Sequence, residues 1–468
     1  TLLVNAVNQA PVAANDSYQT LPDTPLDVGG SIGVLANDTD ADLDVLQAGL
    51  VGDVSNGVLS LTADGAFSYT PNTGFIGTDS FTYQAGDGAL LSDVATATIS
   101  VDVINNPPKI VSGRISFTKQ VIDDQVNQTH AVVAADFNGD GLIDLAATDY
   151  VDGMVFWYEN DGVGGFVTRT LDADLAGAYP AHVGDVDGDG DIDILAAGYL
   201  ADTVAWYEND GLGGFTRRDV DVAADGAHSV VTEDMDQDGD VDLLATNQDA
   251  NTVTWYENDG SNAFARRTID TTAEGAKRAE FADVDGDGDL DVFSASYFAN
   301  EIAWHENDGN QLFSKRVIDA TARGAYYVFP ADIDGDNDID VFAAIQLTDT
   351  IAWYENNGSG SFTKHVIDGG ALKARTVIGH DIDGDGDIDA IAASVDDDTV
   401  AVYLNEGTGN FFAKEVVDLD ADGAYGVYAL DIDGDGYSDV LSASKDANAV
   451  RTRSEEHTSE LQSHHDLV

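Results

Sequence analysis

The chain has 468 residues, 86 of them acidic and 20 basic, for a formal net charge of −66. Such a surface repels nucleic acid and anionic membranes and attracts cations, and the absence of cysteine excludes disulfides and thiol catalysis. At 43% hydrophobic content a sizeable core is expected, the 48 glycines point to many turns, and no apolar run approaches the roughly 18 residues that span a bilayer.

The chain opens on Thr1 rather than Met, so a preceding segment is expected and the lack of a visible signal peptide carries no information on location. Residues 1–10 read as the last strand of a preceding module, because Leu2-Leu-Val-Asn-Ala-Val-Asn-Gln-Ala-Pro11 echoes Ile99-Ser-Val-Asp-Val-Ile-Asn-Asn-Pro-Pro108. In residues 11–106 Phe67/Tyr69, Phe81/Tyr83 and Ile99/Val101/Val103 alternate with polar residues between Gly, Asn and Asp turns, which predicts a small antiparallel β-sandwich. Within it Asp38, Asp40, Asp42 and Asp44 suit either calcium between tandem modules or a solvated acidic loop. Residues 107–112 read as a linker.

From residue 113 a repeat dominates. The segment Asp136-Phe-Asn-Gly-Asp-Gly-Leu-Ile-Asp144 returns with first aspartates at Asp185, Asp234, Asp283, Asp332, Asp381 and Asp431, spaced 49 residues five times and then 50. A second motif keeps step: Trp157-Tyr-Glu-Asn160, then Trp206, Trp255, Trp304 and Trp353 at the same place, and Val402-Tyr-Leu-Asn405 in the sixth repeat. Each repeat holds four short runs of strand character; in the third they are Ser229–Asp234, Asp242–Thr246, Thr252–Asn258 and Phe264–Asp270. Four strands per ~40–50 residues is the pattern of a propeller blade. Ile115–Asp123 matches the fourth strand of other repeats but stands alone, and the seventh repeat breaks down near Val450 after two strands. The early strand is therefore expected to complete the last blade and close a seven-bladed β-propeller over 113–452. The tail 453–468 fits nothing before it. Its Arg453-Ser-Glu-Glu-His-Thr-Ser-Glu-Leu-Gln-Ser463 resembles the translation of a DNA-sequencing adapter, so it is read as non-native and its His457, His464 and His465 not as metal ligands.

On these motifs, residues 113–452 resemble FG-GAP/VCBS repeats, as in integrin α-subunit propellers and bacterial surface proteins. Residues 11–106 resemble bacterial cadherin-like (Ig-like) tandem modules, through Asn8-Gln-Ala-Pro11, Leu35-Ala-Asn-Asp-Thr-Asp-Ala-Asp42, Phe67-Ser-Tyr-Thr-Pro71 and Asp79-Ser-Phe-Thr-Tyr83. Both resemblances imply a secreted or cell-surface bacterial protein with an adhesion or binding role, and neither implies an enzyme.

The loops carry the strongest chemical signal. Positions 1, 3, 5 and 9 are Asp136, Asn138, Asp140 and Asp144 in the first loop and Asp185, Asp187, Asp189 and Asp193 in the second. The next three place Asp234, Asp236, Asp238 and Asp242, then Asp283, Asp285, Asp287 and Asp291, then Asp332, Asp334, Asp336 and Asp340. The last two place Asp381, Asp383, Asp385 and Asp389, then Asp431, Asp433, Asp435 and Asp439. Hard oxygen ligands at alternate positions with glycine in the turn suit structural Ca2+, about seven ions. Seven such ions would reduce the charge from −66 to −52. An EF-hand is excluded because Ala147 stands where that motif needs a bidentate Glu, and strands rather than helices flank the loop.

All five tryptophans fall in the third-strand motif, where packing between blades explains them better than sugar stacking. Six residues before each loop stand His130, Tyr179, His228, Lys277, Tyr326, Arg375 and Tyr425, expected to ring the central opening. They would either bind a glycan or a partner's carboxylate, or simply hydrogen-bond neighbouring blades. The leading function is thus a calcium-binding adhesion module for a glycan or an extracellular protein. The rivals are a polysaccharide lyase using the axial ring and a structural spacer. No Ser-His-Asp order, phosphate-binding loop or dinucleotide fingerprint is present.

Overall fold

The computed structural model describes residues 8, 10–20, 25–29, 33–40, 42, 45–72, 75, 77–101, 117–418, 421–434, 438–446 and 449–455. Most of the strand expected over 1–10, the linker at 107–112, Asp44, Val103, Asp435 and the tail beyond Glu455 with its His457, His464 and His465 lie outside the described residues. The chain separates into two compact units, Thr1–Asn106 and Pro107–Val468. Among the described residues both are all-β; the single helical turn is a 3-10 turn at Gln346–Thr348.

The first unit packs a four-stranded sheet, ordered Asp16–Thr20, Ala95–Val101, Gly77–Gly86, Gln47–Gly52, on a three-stranded sheet of Leu26–Val28, Phe67–Pro71 and Gly57–Leu61. The alternation read from the sequence places Phe67, Tyr69, Phe81, Tyr83, Ile99 and Val101 in one buried cluster. One expectation is corrected: Asp16–Thr20 pairs parallel to Ala95–Val101, so the sandwich is not wholly antiparallel. The reason is connectivity, since the chain crosses to the other sheet at Leu26–Val28 and meets its partner only some 75 residues later, where no hairpin dictates direction.

The second unit consists of seven four-stranded antiparallel sheets, numbered here by repeat. In the third the strands are Ala227–Glu233, Asp242–Asn247, Thr252–Asn258 and Phe264–Asp270, within two residues of the sequence reading at every boundary. The seventh sheet takes Ala424–Leu430, Asp439–Ser444 and Ala449–Glu455, and its fourth strand is Phe117–Asp123 from the other end of the unit. Its third strand runs past the boundary drawn at 452, with Val450 opposite Asp123 and Glu455 opposite Phe117. Backbone pairing asks little of side chains, and the slot between two waiting strands is filled by whatever residues follow Ser444. Among the described side chains of this third strand Ala449, Val450, Arg451 and Thr452 are all buried.

Second strands such as Asp193–Gly198 are buried throughout, while fourth strands such as Phe264–Asp270 are mostly exposed. Burial on both faces follows from how the sheets stack. Seven apolar clusters lie in seven seams, from Val133, Trp157, Ile194 and Tyr207 between sheets one and two to Val132, Leu145, Leu441 and Val450 between sheets one and seven. The period-two alternation sorts residues between seams: Val204 and Trp206 join the seam with sheet three, whereas Tyr207 joins that with sheet one. All five tryptophans are at most 3% exposed and are core.

Candidate functional site

Each aspartate loop joins the first and second strands of its sheet. Its tight path needs left-handed backbone at positions 4 and 6, met by Gly188 (φ +72°) and Gly190 (φ +96°) in loop two. Gln237 takes position 4 in loop three and Asn337 position 6 in loop five at similar φ. The position-1 carboxylate closes the turn: Gly190 N–H donates to Asp185 at 3.0 Å and Gly239 N–H to Asp234 at 3.0 Å. The position-9 aspartate begins the second strand and anchors the loop. One oxygen of Asp193 accepts from Asn209 N–H at 2.8 Å and the other from Val186 N–H at 2.9 Å, and Asp242, Asp291, Asp340 and Asp389 repeat the pair.

These turns bring carboxylates together. One oxygen from each of Asp185, Asp187 and Asp193 lies within 4.8 Å of the others, and the same holds for the first, third and ninth positions of loops three and four. In loops five and six the grouped positions are the first, third and fifth. Burial pushes the ninth-position carboxyls up, to about 6 for Asp144, Asp242 and Asp291, about 7 for Asp193 and Asp340 and about 8 for Asp389. Several buried oxygens in the loops accept no hydrogen bond: Oδ1 of Asp185, Asp236, Asp285, Asp334 and Asp381, and Oδ2 of Asp144. Crowded, desolvated, unsatisfied carboxylate oxygens are the donor set a hard divalent cation needs, so these groups can hold metal.

Around the loops the third-strand motif clamps sheet to sheet. Nδ2 of Asn209 donates to Phe137 O at 2.7 Å in the previous loop and to Ile192 O at 2.9 Å in its own, and Asn405 does the same with Ile333 and Ile388. The sixth repeat therefore keeps the residue that spans the seam although it lacks the tryptophan. Tyr207 donates to Asp172 of the preceding sheet at 2.7 Å, and Arg169 lies over Trp157 at 5.1 Å while pairing with Glu159.

The seven positions before the loops share a different device. In every sheet the register between first and second strands slips at this point, so that His130, Tyr179, His228, Lys277, Tyr326, Arg375 and Tyr425 are left out of the pairing. A bulge of this kind re-aims its extra side chain, here toward the other six. The residues meet one another, and Tyr179, Lys277, Tyr326 and Arg375 also line a pocket beside the cluster. Arg375 Nη1 donates to Tyr425 Oη at 3.1 Å, Tyr425 and Tyr326 share a 2.6 Å hydrogen bond, Tyr179 reaches Tyr425 at 3.0 Å, and Tyr326 reaches His228 Nε2 at 3.3 Å. Nδ1 of His228 lies 2.8 Å from the Lys277 carbonyl, which only accepts, so Nδ1 carries the proton and Nε2 accepts from Tyr326. The chain of hydrogen bonds thus runs from Arg375 through the two tyrosines to His228. Its groups are held away from their ordinary ionisation: burial lowers His228 well below the usual range, lowers His130 to about 3 and raises Tyr326 to about 12.

Sequence reasoning missed two features. Beneath the ring a 320 Å3 cavity is lined by His182, His380 and the buried ion pair of Arg278 with Glu280, residues one and three positions beyond Lys277. Above it, Lys373 and Lys445 join Lys277 and Arg375 around a 380 Å3 pocket. Lys445 lies 168 residues from Lys277, and no local pattern links them.

The family models that match agree with this division into two units. The family model for the bacterial cadherin-like domain matches residues 8–105. The model for FG-GAP-like repeats matches six overlapping spans, 136–196, 185–245, 234–294, 283–343, 332–392 and 381–442. Integrin beta-like protein E of Dictyostelium discoideum is 29% identical over 178 residues, 34% of this chain and 9% of that protein. Integrin beta-like protein C of the same organism is 32% identical over 125 residues, 22% of this chain and 6% of that protein. The chain thus spans less than a tenth of the curated relatives it matches. A solved protein from Bacteroides uniformis, whose name gives 6-phosphogluconolactonase as its proposed activity, overlays with TM-score 0.45 and 18% identity, over 62% of this chain and 85% of that one. With matches running through residues 136–442, well over half its length, the chain belongs to the FG-GAP-like repeat family and carries a bacterial cadherin-like domain before the repeats.

Proposed function

We propose that residues 113–455 are a closed seven-bladed β-propeller, held together by Ca2+ in its aspartate loops, that serves as an extracellular binding or adhesion module. The carrying observation is the recurrence, loop after loop, of grouped carboxylates with buried oxygens that accept no hydrogen bond. Closure is supported by the seam between sheets seven and one and by Phe117–Asp123 completing the seventh sheet. A bound divalent ion would offset two of the negative charges in each cluster and cross-link one strand end to the next. The extracellular setting follows from the company of cadherin-like and FG-GAP-like domains and from relatives named integrin beta-like. Among the described residues no helix is long and apolar enough to cross a membrane. The partner class is a glycan or an extracellular protein, and the bacterial source rests on the cadherin-like match alone.

Calorimetric unfolding of the whole chain with Ca2+ and with chelator, alongside elemental analysis of bound metal, tests the reading. Several bound ions and a large rise in Tm are expected. No bound ion and no shift would leave the aspartates as acidic turns and end the proposal.

One observation favours a second reading, the lyase. His228, Tyr326, Tyr425 and Arg375 converge within hydrogen-bond reach, as a β-elimination site requires. There a base takes the C5 proton of a uronate, the C4–O bond breaks with its proton returned to the leaving oxygen, and a C4=C5 double bond forms. The tyrosines are buried and Tyr326 is pushed to about 12, which makes it a poor base at neutral pH. Appearance of the ultraviolet absorbance of an unsaturated uronate would favour this reading over a binding module.

A further inference from the structure

The placement of cations singles out one pocket. Among the described side chains, most lysines and arginines are ion-paired to a carboxylate, as a chain with 86 acidic residues makes easy. The exceptions are Lys277, Arg323, Arg375 and Lys445, and three of these four line the same 380 Å3 pocket, with Lys373 at its edge. Arg278, the next residue after Lys277 and more deeply buried, shows the ordinary solution, since Glu280 neutralises it. Arg375 has instead only neutral partners. Its guanidinium stacks over Tyr326 at 4.2 Å and Tyr425 at 4.6 Å, and Nη1 donates to Tyr425. Lys277 likewise sits over Tyr326 at 5.2 Å and bonds to Gln248. Removing cations from water without a counter-ion is costly, and the cost is recovered when an anion enters. Beside them Phe298, 58% exposed, and Tyr297 present ring surface at the rim.

From this juxtaposition we infer that the pocket takes the carboxylate of an acidic sugar, a uronate residue of an extracellular polysaccharide, with Arg375 and Lys445 on the carboxylate and Tyr297 and Phe298 against the pyranose face. A volume of 380 Å3 is at the low end for ligand sites and suits one or two sugar rings. The strongly acidic surface elsewhere repels a polyanion and favours this cationic pocket as its point of attachment. The inference deepens the binding reading proposed above and rests on it.

The test is titration calorimetry of the calcium-loaded full chain with tetragalacturonate, its carboxyl-reduced counterpart and a glutamate tetrapeptide. Tetragalacturonate is expected to bind, the reduced sugar and the peptide to bind at least about ten-fold more weakly. Arg375→Gln and Lys445→Gln should each weaken binding about ten-fold or more, while Arg316→Gln, which removes the same charge from the edge of sheet four, should leave it unchanged. Lys445→Gln lies at the end of a strand and keeps the test open if Arg375→Gln fails to fold. Equal weakening by Arg316→Gln, equal binding of the peptide, or no binding by either parent or variants would overturn the inference. The calcium-dependent Tm of the same samples reports separately on the propeller reading, so a chain that gains stability from Ca2+ and ignores uronates sinks only this inference.

Discussion

Two sets of seven positions, one residue-set in each repeat, behave in opposite ways. The aspartate loops repeat their backbone and, with Asn138 as the exception, their ligand residue type, and among the described residues loops two to six each group carboxylates from within their own nine residues. The bulge positions repeat only their backbone; their residues are two histidines, three tyrosines, a lysine and an arginine, which combine into a single asymmetric cluster. A repeated device carrying a repeated residue yields many copies of one site. A repeated device carrying varied residues yields one asymmetric cluster.

The largest expected effect comes from breaking the first set at once. At free Ca2+ one hundred times a site's Kd each filled loop adds about 2.7 kcal/mol, so chelation should lower the Tm by more than about 10 °C, read by differential scanning calorimetry. Next is the ion pair beneath the ring. Glu280→Leu leaves Arg278 charged and buried and should cost about 3–5 kcal/mol in urea unfolding, more than either residue's place on a strand would suggest. A single loop substitution, Asp185→Ala, should remove one ion from the stoichiometry and up to about 2.7 kcal/mol, and its effect should add to that of Asp332→Ala within about 0.5 kcal/mol, because the two loops share no partner.

The ring should fail that additivity. Tyr425→Phe removes the hydroxyl that joins Arg375, Tyr326 and Tyr179 and should cost about 1–2 kcal/mol, while a double-mutant cycle with Tyr326→Phe should show coupling of at least about 0.5 kcal/mol. The effect that is smallest near neutral pH, and grows only on acidification, is that of His130. His130 is neutral in the fold, its pKa lowered by burial from 6.5 to about 3, so its contribution is fully present above 6.5 and is lost as the pH falls toward 3. His130→Phe should flatten the fall in calcium-saturated stability by up to about 1.4 kcal/mol per pH unit over that window, measured as the difference from the parent.

The repeat unit was legible in detail: the strands of sheet three lie within two residues of where the alternation and turns put them. The aspartate clusters were legible too, because their ligand atoms sit within nine residues of one another. The parallel pairing of Asp16–Thr20 was not, since strand direction depends on a partner some 75 residues away. Neither was the third strand of sheet seven beyond Val450, whose residues follow no repeat and are ordered by the strands on either side. The ring positions were found by their spacing, but whether they enclose a hole or fill it depends on side-chain lengths summed across seven sheets.

By itself the amino-acid sequence determined the strands, the turns and the aspartate loops, because each is set by interactions among residues a few positions apart. Only the tertiary structure decided that Arg375 would be buried against tyrosines rather than a carboxylate, and that Lys445 would stand beside Lys277 across 168 residues. Those neighbours are chosen by the stacking of sheets around one point, which brings residues together through space at separations no local pattern encodes.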